Sequence, residues 1–532
     1  MTAVRDQLTR FRLLFAAGIL IVTACSGDGV VEPCPEQSLV RASVADAALP
    51  ASEFDALFEA AGREYGVDAA LLRSIAWVET RLHMVGGDER NEQDDHDGRP
   101  PAWGVMALRG ARLDRAAQLA GLSRDQVRHS PAANIAAAAA LLAAEARATG
   151  VADRPATEWA PALERYTDIE LPAGRRAYAR DVVPAALEKA TARAVASSNS
   201  ARATLAAAVP CDNPTPPAGI TTVWRGSPNF DARAAGTAGQ IAMIIVHTCE
   251  GSYVGCWSWL TNATSGVSAH YIIDESGSEI SYLVEDPMRA WHIGAIYDCQ
   301  LNRSRRCDLS GVQSNHFTIG IEHAGFASQP SFPASQIDIS ARLVCELTQR
   351  HAIPRDGQHV VAHAQLQPWN RTDPGPNWPW ISYLALVQRH CGEVVVDDSD
   401  AFNDRTYARA TAPAGWTAAS ATPGYYGGGY HFASTTPDAA DPLVFEFYVA
   451  RAARQTVEAR WTAGDNRSPA APFTIRDDAG RVLATVAVDQ RTHHDQWRPL
   501  ATLDLNAGWH RVELSQQGPA GRVVVGDAVR IR

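Results

Sequence analysis

The strongest constraint on the fold is a change of periodicity along the chain. From Ser52 to about Val195 apolar residues recur at spacings of three and four. Phe54, Leu57, Phe58, Ala61 and Tyr65 follow a Ser52 cap and stop at Gly66. Leu71, Ile75, Val78 and Leu82 repeat the pattern, and a third helix opens at Ser130-Pro131 and runs through alanines to Gly150. Residues 51–195 therefore predict an all-α domain. A stretch rich in Ser, Ala, Asn and Pro, 196–217, reads as a linker. Residues 218–392 alternate strand-like runs (Ile241–Val246, Tyr271–Asp274, Thr318–Ile321, Val360–Ala362) with a helical run through Ile337, Ala341, Val344 and Leu347, which is an α/β pattern. Beyond Val394 the runs are short. Val457–Trp461 alternates, and Asp478-Ala479-Gly480 turns a hairpin between Phe473–Arg476 and Val482–Val488. Leu503–Leu505, Arg511–Leu514 and Val523–Val525 follow. That predicts an all-β sandwich over 393–532. A chain of 532 residues needs about three cores, and here they are of three classes.

The first residues stand outside these cores. Arg5, Arg10 and Arg12 precede an apolar stretch from Leu13 to Val22, too short for a comfortable membrane span. It ends in Val22-Thr23-Ala24-Cys25. This resembles a bacterial lipoprotein signal over 1–24, with Cys25 lipidated and 25–50 a tether; the alternative is a plain signal peptide cut elsewhere. Ser26, rather than Asp, follows the cysteine, which implies an outer-membrane anchor in a Gram-negative envelope. Export agrees with cysteine usage: nine less Cys25 leaves an even eight, and no C-x-x-C metal pair occurs. Close neighbours suggest Cys249 with Cys256 and Cys299 with Cys307, leaving Cys345 with Cys391 and Cys34 with Cys211. A net charge of -11 excludes the basic footprint of a nucleic-acid binder.

Three residues point to a chemistry. His247 ends the apolar run Ile244-Ile245-Val246, His363 ends Val360-Val361-Ala362, and Asp373 lies in Arg371-Thr372-Asp373-Pro374-Gly375-Pro376. Two imidazoles and a carboxylate are the ligand set of a catalytic zinc that keeps a fourth position open. Taken singly, each is more simply a structural or surface residue.

Their context resembles the zinc-dependent N-acetylmuramoyl-L-alanine amidases of the AmpD, phage-lysozyme and peptidoglycan-recognition type. Six segments carry the resemblance in order: His247-Thr248, Ser268-Ala-His270-Tyr271-Ile-Ile-Asp274, Ala290-Trp291-His292-Ile-Gly294, Ile319-Gly-Ile-Glu322, His363, and Thr372-Asp373-Pro374-Gly375-Pro376. It implies a mixed sheet flanked by helices over 218–392, a Zn2+ held by His247, His363 and Asp373, and peptidoglycan as substrate. The bond to be cut is the amide between the lactyl group of N-acetylmuramic acid and L-alanine. Glu322 stands where the AmpD branch places its proton acceptor; otherwise it is a strand-end carboxylate in an ion pair. Tyr271 stands where other branches place a catalytic Tyr, or it packs. Arg371 replaces a Lys that stabilises the oxyanion, and its planar fork is not a point charge. His292 and Trp291 are expected at the substrate, with His292 alternatively holding a loop.

The helical domain resembles the lysozyme-like lytic transglycosylases through Leu71-Leu72-Arg-Ser-Ile75-Ala-Trp-Val78-Glu79-Thr80, Ala102-Trp-Gly104-Val-Met106 and Ser130-Pro131-Ala-Ala-Asn134-Ile135. That implies Glu79 as a general acid whose partial burial raises its pKa. Thr80 and Ala107 depart from the family pattern; the alternatives are a retired enzyme kept for glycan binding or an unrelated helical domain. Residues 394–532 resemble the golvesin C-terminal-type domain through Val394-Val-Val-Asp397-Asp398, Gly424-Tyr-Tyr-Gly-Gly-Gly-Tyr430 and Gly526-Asp527-Ala528-Val529, implying a binding or spacing sandwich. The expected whole is a lipid-anchored zinc amidase of the bacterial envelope, with a non-catalytic peptidoglycan sensor or tether as the alternative.

Overall fold

The computed structural model describes residues 49–86, 100–198, 221–438 and 441–532. The expected signal, Cys25, the Cys34–Cys211 pair and nearly all of the tether and of the linker lie outside these residues, although helix continues through Ser198 at the start of the expected linker. No helix among the described residues is long and apolar enough to cross a membrane.

The first domain is helical: α1 (Asp55–Tyr65), α2 (Ala69–Thr80), α3 (Gly110–Ala120), α4 (Arg124–His129), α5 (Pro131–Thr149), α6 (Ala160–Tyr166), α7 (Pro172–Ala177) and α8 (Val183–Ser198). The punctuation in the sequence sets its boundaries. Ser130 accepts from the Ala133 N–H ahead of Pro131, and Gly66 and Gly150 end α1 and α5 in the left-handed conformation. Ser52 lies ahead of α1 rather than capping it, and its hydroxyl accepts from Phe54 N. The alanine-rich α5 is buried along most of its length, because small side chains let neighbouring helices approach it closely.

The central domain holds β1 (Thr221–Trp224), β2 (Phe230–Ala232), β3 (Met243–Thr248), α9 (Tyr253–Leu260), β4 (Tyr271–Ile273), β5 (Glu279–Tyr282), β6 (Met288–Ala290), β7 (Thr318–His323), α10 (Ala334–Arg350), β8 (Val360–Ala362), α11 (His363–Leu366) and α12 (Trp380–His390). Six strands form one mixed sheet, in the order β1-β5-β4-β7-β3-β8. The pairings β4–β7, β7–β3 and β3–β8 are parallel, and β4–β5 is antiparallel. Strand β3 is buried at every position, as a parallel strand covered on both faces must be. One face packs Val246, Ile321 and Tyr271 against α10 and α12. Toward the other face, Ile272 and Leu283 join Val254, Trp257 and Leu260 of α9 in a cluster that also contains Leu72, Ile75 and Tyr178 of the helical domain. The first two domains therefore share one apolar core. At Gly174 in α7, an added Cβ would overlap Ser258 Oγ of α9.

The third domain is all strand: β9 (Val394–Asp397), β10 (Ala408–Thr411), β11 (Thr417–Ala419), β12 (Tyr430–Ser434), β13 (Leu443–Val449), β14 (Ala453–Arg460), β15 (Ala471–Asp477), β16 (Val482–Val488), β17 (Arg498–Leu505), β18 (Gly508–Leu514), β19 (Val523–Gly526) and β20 (Ala528–Ile531). The sheets β10-β13-β18-β15-β16 and β17-β14-β20-β9 enclose a core of Phe445, Phe447, Trp461 and Phe473. The β15–β16 hairpin turns where expected, with Gly480 left-handed. Strand β14 departs from the expected alternation: Val457 to Arg460 are all buried, with Arg460 ion-paired to Asp495 and Asp527. Three disulfides close as expected, Cys249–Cys256, Cys299–Cys307 and Cys345–Cys391.

Because the helical and central domains share a core, they should unfold together. Truncation of Trp257 to Ala should cost about 3–5 kcal/mol and lower one calorimetric transition common to both domains. Two independent transitions, with the change confined to one, would refute a shared core.

Candidate metal centre

The three ligand candidates meet at the carboxyl ends of adjacent parallel strands, where open α/β sheets place their ligands. His247 is next to last in β3, and His363 directly follows β8, its neighbour in the sheet. Asp373 is brought back by the turn of α11, and its carbonyl accepts from Ala364 N at 3.0 Å. All three are buried, at 2%, 5% and 7% exposure. His247 Nδ1 and His363 Nδ1 lie 2.9 Å apart, and each is within 3.2 Å of Asp373 Oδ2.

The surrounding hydrogen bonds decide which atoms face one another. The Thr318 hydroxyl donates its proton to the Ser314 carbonyl, so it can only accept from His292 Nε2, at 3.1 Å. His292 Nδ1 is then a lone pair, and at 3.0 Å it accepts from His247 Nε2–H. His247 Nδ1 is left unprotonated. His363 Nε2 donates to Gln367 Oε1 in the same way, at 3.3 Å, while the Gln367 amide nitrogen is engaged by Asn370. Two imidazole lone pairs and a carboxylate oxygen thus converge on one point. Edges of about 3 Å suit a tetrahedral ion with bonds of about 2 Å, and the donor set is that of a hydrolytic zinc. The residues fit the ion. The two imidazoles hold the Asp373 carboxyl far below its ordinary value against the opposing effect of burial. Burial and the neighbouring imidazoles keep His292 neutral, as the relay requires. Gly320 makes room for it, since a Cβ there would overlap the His292 ring.

The site opens into a cavity of about 470 Å³. Glu322 lines it, placed beside His247 by the β3–β7 register. Arg371 lines the same cavity and also a neighbouring opening of about 240 Å³, which contains Trp291. His292 and His363 are common to both openings.

Residues 237–376 match the family described as N-acetylmuramoyl-L-alanine amidase, and residues 394–532 match the Golvesin C-terminal domain. The chain is 30% identical over 184 residues to N-acetylmuramoyl-L-alanine amidase A of Achromobacter lyticus, which covers 31% of this chain and 92% of that protein. The chain belongs to the N-acetylmuramoyl-L-alanine amidase family. It is also 31% identical over 121 residues to the 1,6-anhydro-N-acetylmuramyl-L-alanine amidase AmpD of Citrobacter freundii, covering 23% of this chain and 57% of that protein. A solved AmpD structure shares 26% identity at a TM-score of 0.24, covering 31% of this chain and 93% of that one.

Two sequence-predicted residues of this amidase lie away from the metal cleft. Tyr271 pairs with Ile321, on the opposite face of the sheet. Its hydroxyl donates to Asp286 at 2.7 Å, and its ring stacks on Tyr282. Glu79 lies in the helical domain, where Tyr178 donates to it at 2.8 Å; burial raises its pKa against the pull of Arg112.

Two residues that sequence reasoning missed line the cleft. Glu250 follows His247 by three residues in a left-handed conformation, φ 48°. Its carboxylate accepts from Thr248 Oγ1 at 2.9 Å and Ala327 N at 2.8 Å. Burial pushes its pKa up to about 7 despite those bonds. Arg109 arrives from the helical domain and donates to the Glu250 carbonyl. The spacing His-x-x-Glu was a signal for the first. Nothing local marked the second, because tertiary packing alone delivers it.

Removing the His292 imidazole (His292→Ala) should weaken zinc affinity by about 10–100-fold in a chelator competition, the usual cost of losing a ligand's supporting hydrogen bond. Asp373→Ala should abolish stoichiometric binding. In the metal-free protein, Glu250 contributes a pH dependence of definite sign. Its folded pKa of about 7 lies above the unfolded 4.5, so the folded state holds the extra proton and stability falls as pH rises from 4.5 through 7. Urea midpoints of Glu250→Gln should lack that fall between pH 5 and 8, and an identical fall in the variant would refute the assignment.

Proposed function

We propose that this chain is an exported, zinc-dependent amidase that cleaves the bond between the lactyl group of N-acetylmuramic acid and L-alanine in peptidoglycan. The observation that carries the reading is the convergence of His247 Nδ1, His363 Nδ1 and Asp373 Oδ2 at the floor of an open cleft, in a domain of the amidase family. A zinc ion held there supplies Lewis acidity to water and to the scissile carbonyl. Glu322, beside His247 on the cleft wall, takes the proton of the attacking water and returns it to the alanine nitrogen as the C–N bond breaks. Arg371, at the junction of the two openings, donates to the developing oxyanion, and its fork fixes direction where an ammonium would not. Trp291 borders the second opening, into which the substrate extends. All three metal ligands are present, which favours an enzyme over a binding-only sensor.

Export is supported by the three disulfides, which belong to an oxidising compartment. Lipidated Cys25 would then hold the enzyme in the envelope beside its substrate. For the helical domain, burial of Glu79 against Tyr178 supports a second role as general acid toward the glycan strand. Loss of anhydro-muropeptides on Glu79→Gln is the expected sign, and their persistence refutes it.

Zinc-loaded mature protein incubated with purified peptidoglycan should release new N-terminal L-alanine, and a chelator should stop it. No release from loaded protein overturns the proposal. Glu322→Gln should lower the rate by about 10²–10⁴-fold with zinc content unchanged. Arg371→Ala should lower kcat more than Arg371→Lys does.

A further inference from the structure

A second large opening, of about 680 Å³, lies between the central domain and the strand domain. Five guanidinium groups line it: Arg305 and Arg355 from the central domain, and Arg460, Arg530 and Arg532 from the strand domain. Such a concentration of positive charge is notable in a chain of net charge -11. Two of the carboxylates are each shared between two of these arginines. Asp495 serves both Arg305 and Arg460. Glu458 serves both Arg530 and Arg532. Arg355 pairs with Glu393 at 2.9 Å, and Glu393 also attracts Arg532. Asp356, also on the lining, is engaged by His359 at 2.7 Å. The remaining carboxyl, Asp527, stands 3.5 Å from Arg460 Nε, and burial raises it well above the usual carboxylate range.

Each guanidinium carries five N–H donors, and each carboxylate here is shared or already engaged. Unspent donors therefore border the opening. Trp497 completes the lining, with Arg530 4.7 Å from its ring centroid and Tyr426 edge-on at 5.7 Å. Arginine forks with an aromatic face suit a ligand that is both anionic and ring-shaped.

The reaction proposed above makes such a ligand. Water adds its oxygen to the lactyl carbonyl carbon, the C–N bond breaks, and the nitrogen leaves with a proton as the amine of L-alanine. The lactyl group, a neutral amide before the cut, remains on the glycan as a carboxylate. We propose that this interdomain opening binds the peptide-stripped glycan through its lactyl carboxylates, an inference that rests on the amidase reading for the origin of its ligand. The opening is separate from the metal cleft. His359, which lines it, precedes β8, whereas the ligand His363 follows β8, so one strand of about 13 Å separates the two. A glycan held at the stripped end keeps the next uncut stem near the metal.

The test uses the full-length, zinc-loaded protein and, as probe, glycan strands freed of peptide beforehand by an unrelated treatment. Titration calorimetry should show binding at least about tenfold tighter than to neutral N-acetylglucosamine oligomers, weakening with salt. Arg530→Gln and, separately, Trp497→Ala should each lower that affinity by about tenfold or more. Thermal midpoints should stay within a few degrees, and L-alanine release from a soluble muramoyl-peptide should be unchanged. Equal affinity for neutral oligomers overturns the proposal. So does unaltered affinity in folded variants, or displacement by inorganic phosphate at concentrations that match its ionic strength alone. Because the probe is stripped independently, binding does not depend on catalysis. L-alanine release from the soluble substrate tests the amidase reading by itself.

Discussion

The pairing of β3 between β7 and β8 is the constraint on which the rest depends. Parallel register sets His247 beside Glu322 and ends β8 directly before His363. A slip of one residue would turn every side chain of a strand to the other face. His247 would then enter the apolar layer against α10, and a core valine or threonine would face the cleft. Burial on both sides makes that slip costly, because Ile244 and Val246 pack one face while Met243 and Ile245 pack the other. The precision of a site built from distant segments is thus a by-product of apolar packing. Polar relays refine it afterwards, through Thr318 and His292 on His247 and through Gln367 on His363.

The same sheet ties the domains together. Its outer covering is incomplete without the helical domain, whose Leu72, Ile75 and Tyr178 enter the cluster that includes Trp257 and Ile272. A catalytic domain that completes its core with a neighbour cannot behave as a bead on a flexible string. The Cys249–Cys256 disulfide lies at this junction, joining the end of β3 to α9, the helix that faces the neighbour.

Much of this was legible in the sequence, for reasons that differ from element to element. Helix α5 announced both ends with a Ser-Pro start and a Gly stop, which are local backbone demands. The central strands showed as apolar runs because both their faces are covered. The candidate metal ligands were legible only in combination, since two are ordinary strand-end histidines and the third an ordinary loop aspartate. The fate of Tyr271 was not legible, although it adjoins His270 in a family segment. Alternation along a strand sends neighbours to opposite faces, and which face carries the cleft is a property of the assembled sheet. The alternation expected over Val457–Trp461 misled for a related reason. Strand β14 lies where sheet and domain interface meet, so its charged residues are buried with partners instead of exposed.

Arg109 shows most directly how a residue lining the cleft can be invisible in the sequence. It leaves the helical domain, lies near Asp168, crosses to the Glu250 carbonyl and sits over the Phe326 ring. Arg112 lies between the same Asp168 and Glu79, so polar and ionisable groups run from the helical domain's buried Glu79 to the Glu250 backbone at the cleft wall. Burying such groups is expensive, and their mutual attraction offsets the cost only while every partner is in place. Removing one would leave its neighbours in the helical domain uncompensated. The chain therefore joins its two candidate sites by a run of polar contacts that neither domain's own sequence pattern could display. Glu250, with its left-handed backbone, stands where the Arg109 contact meets the cleft wall.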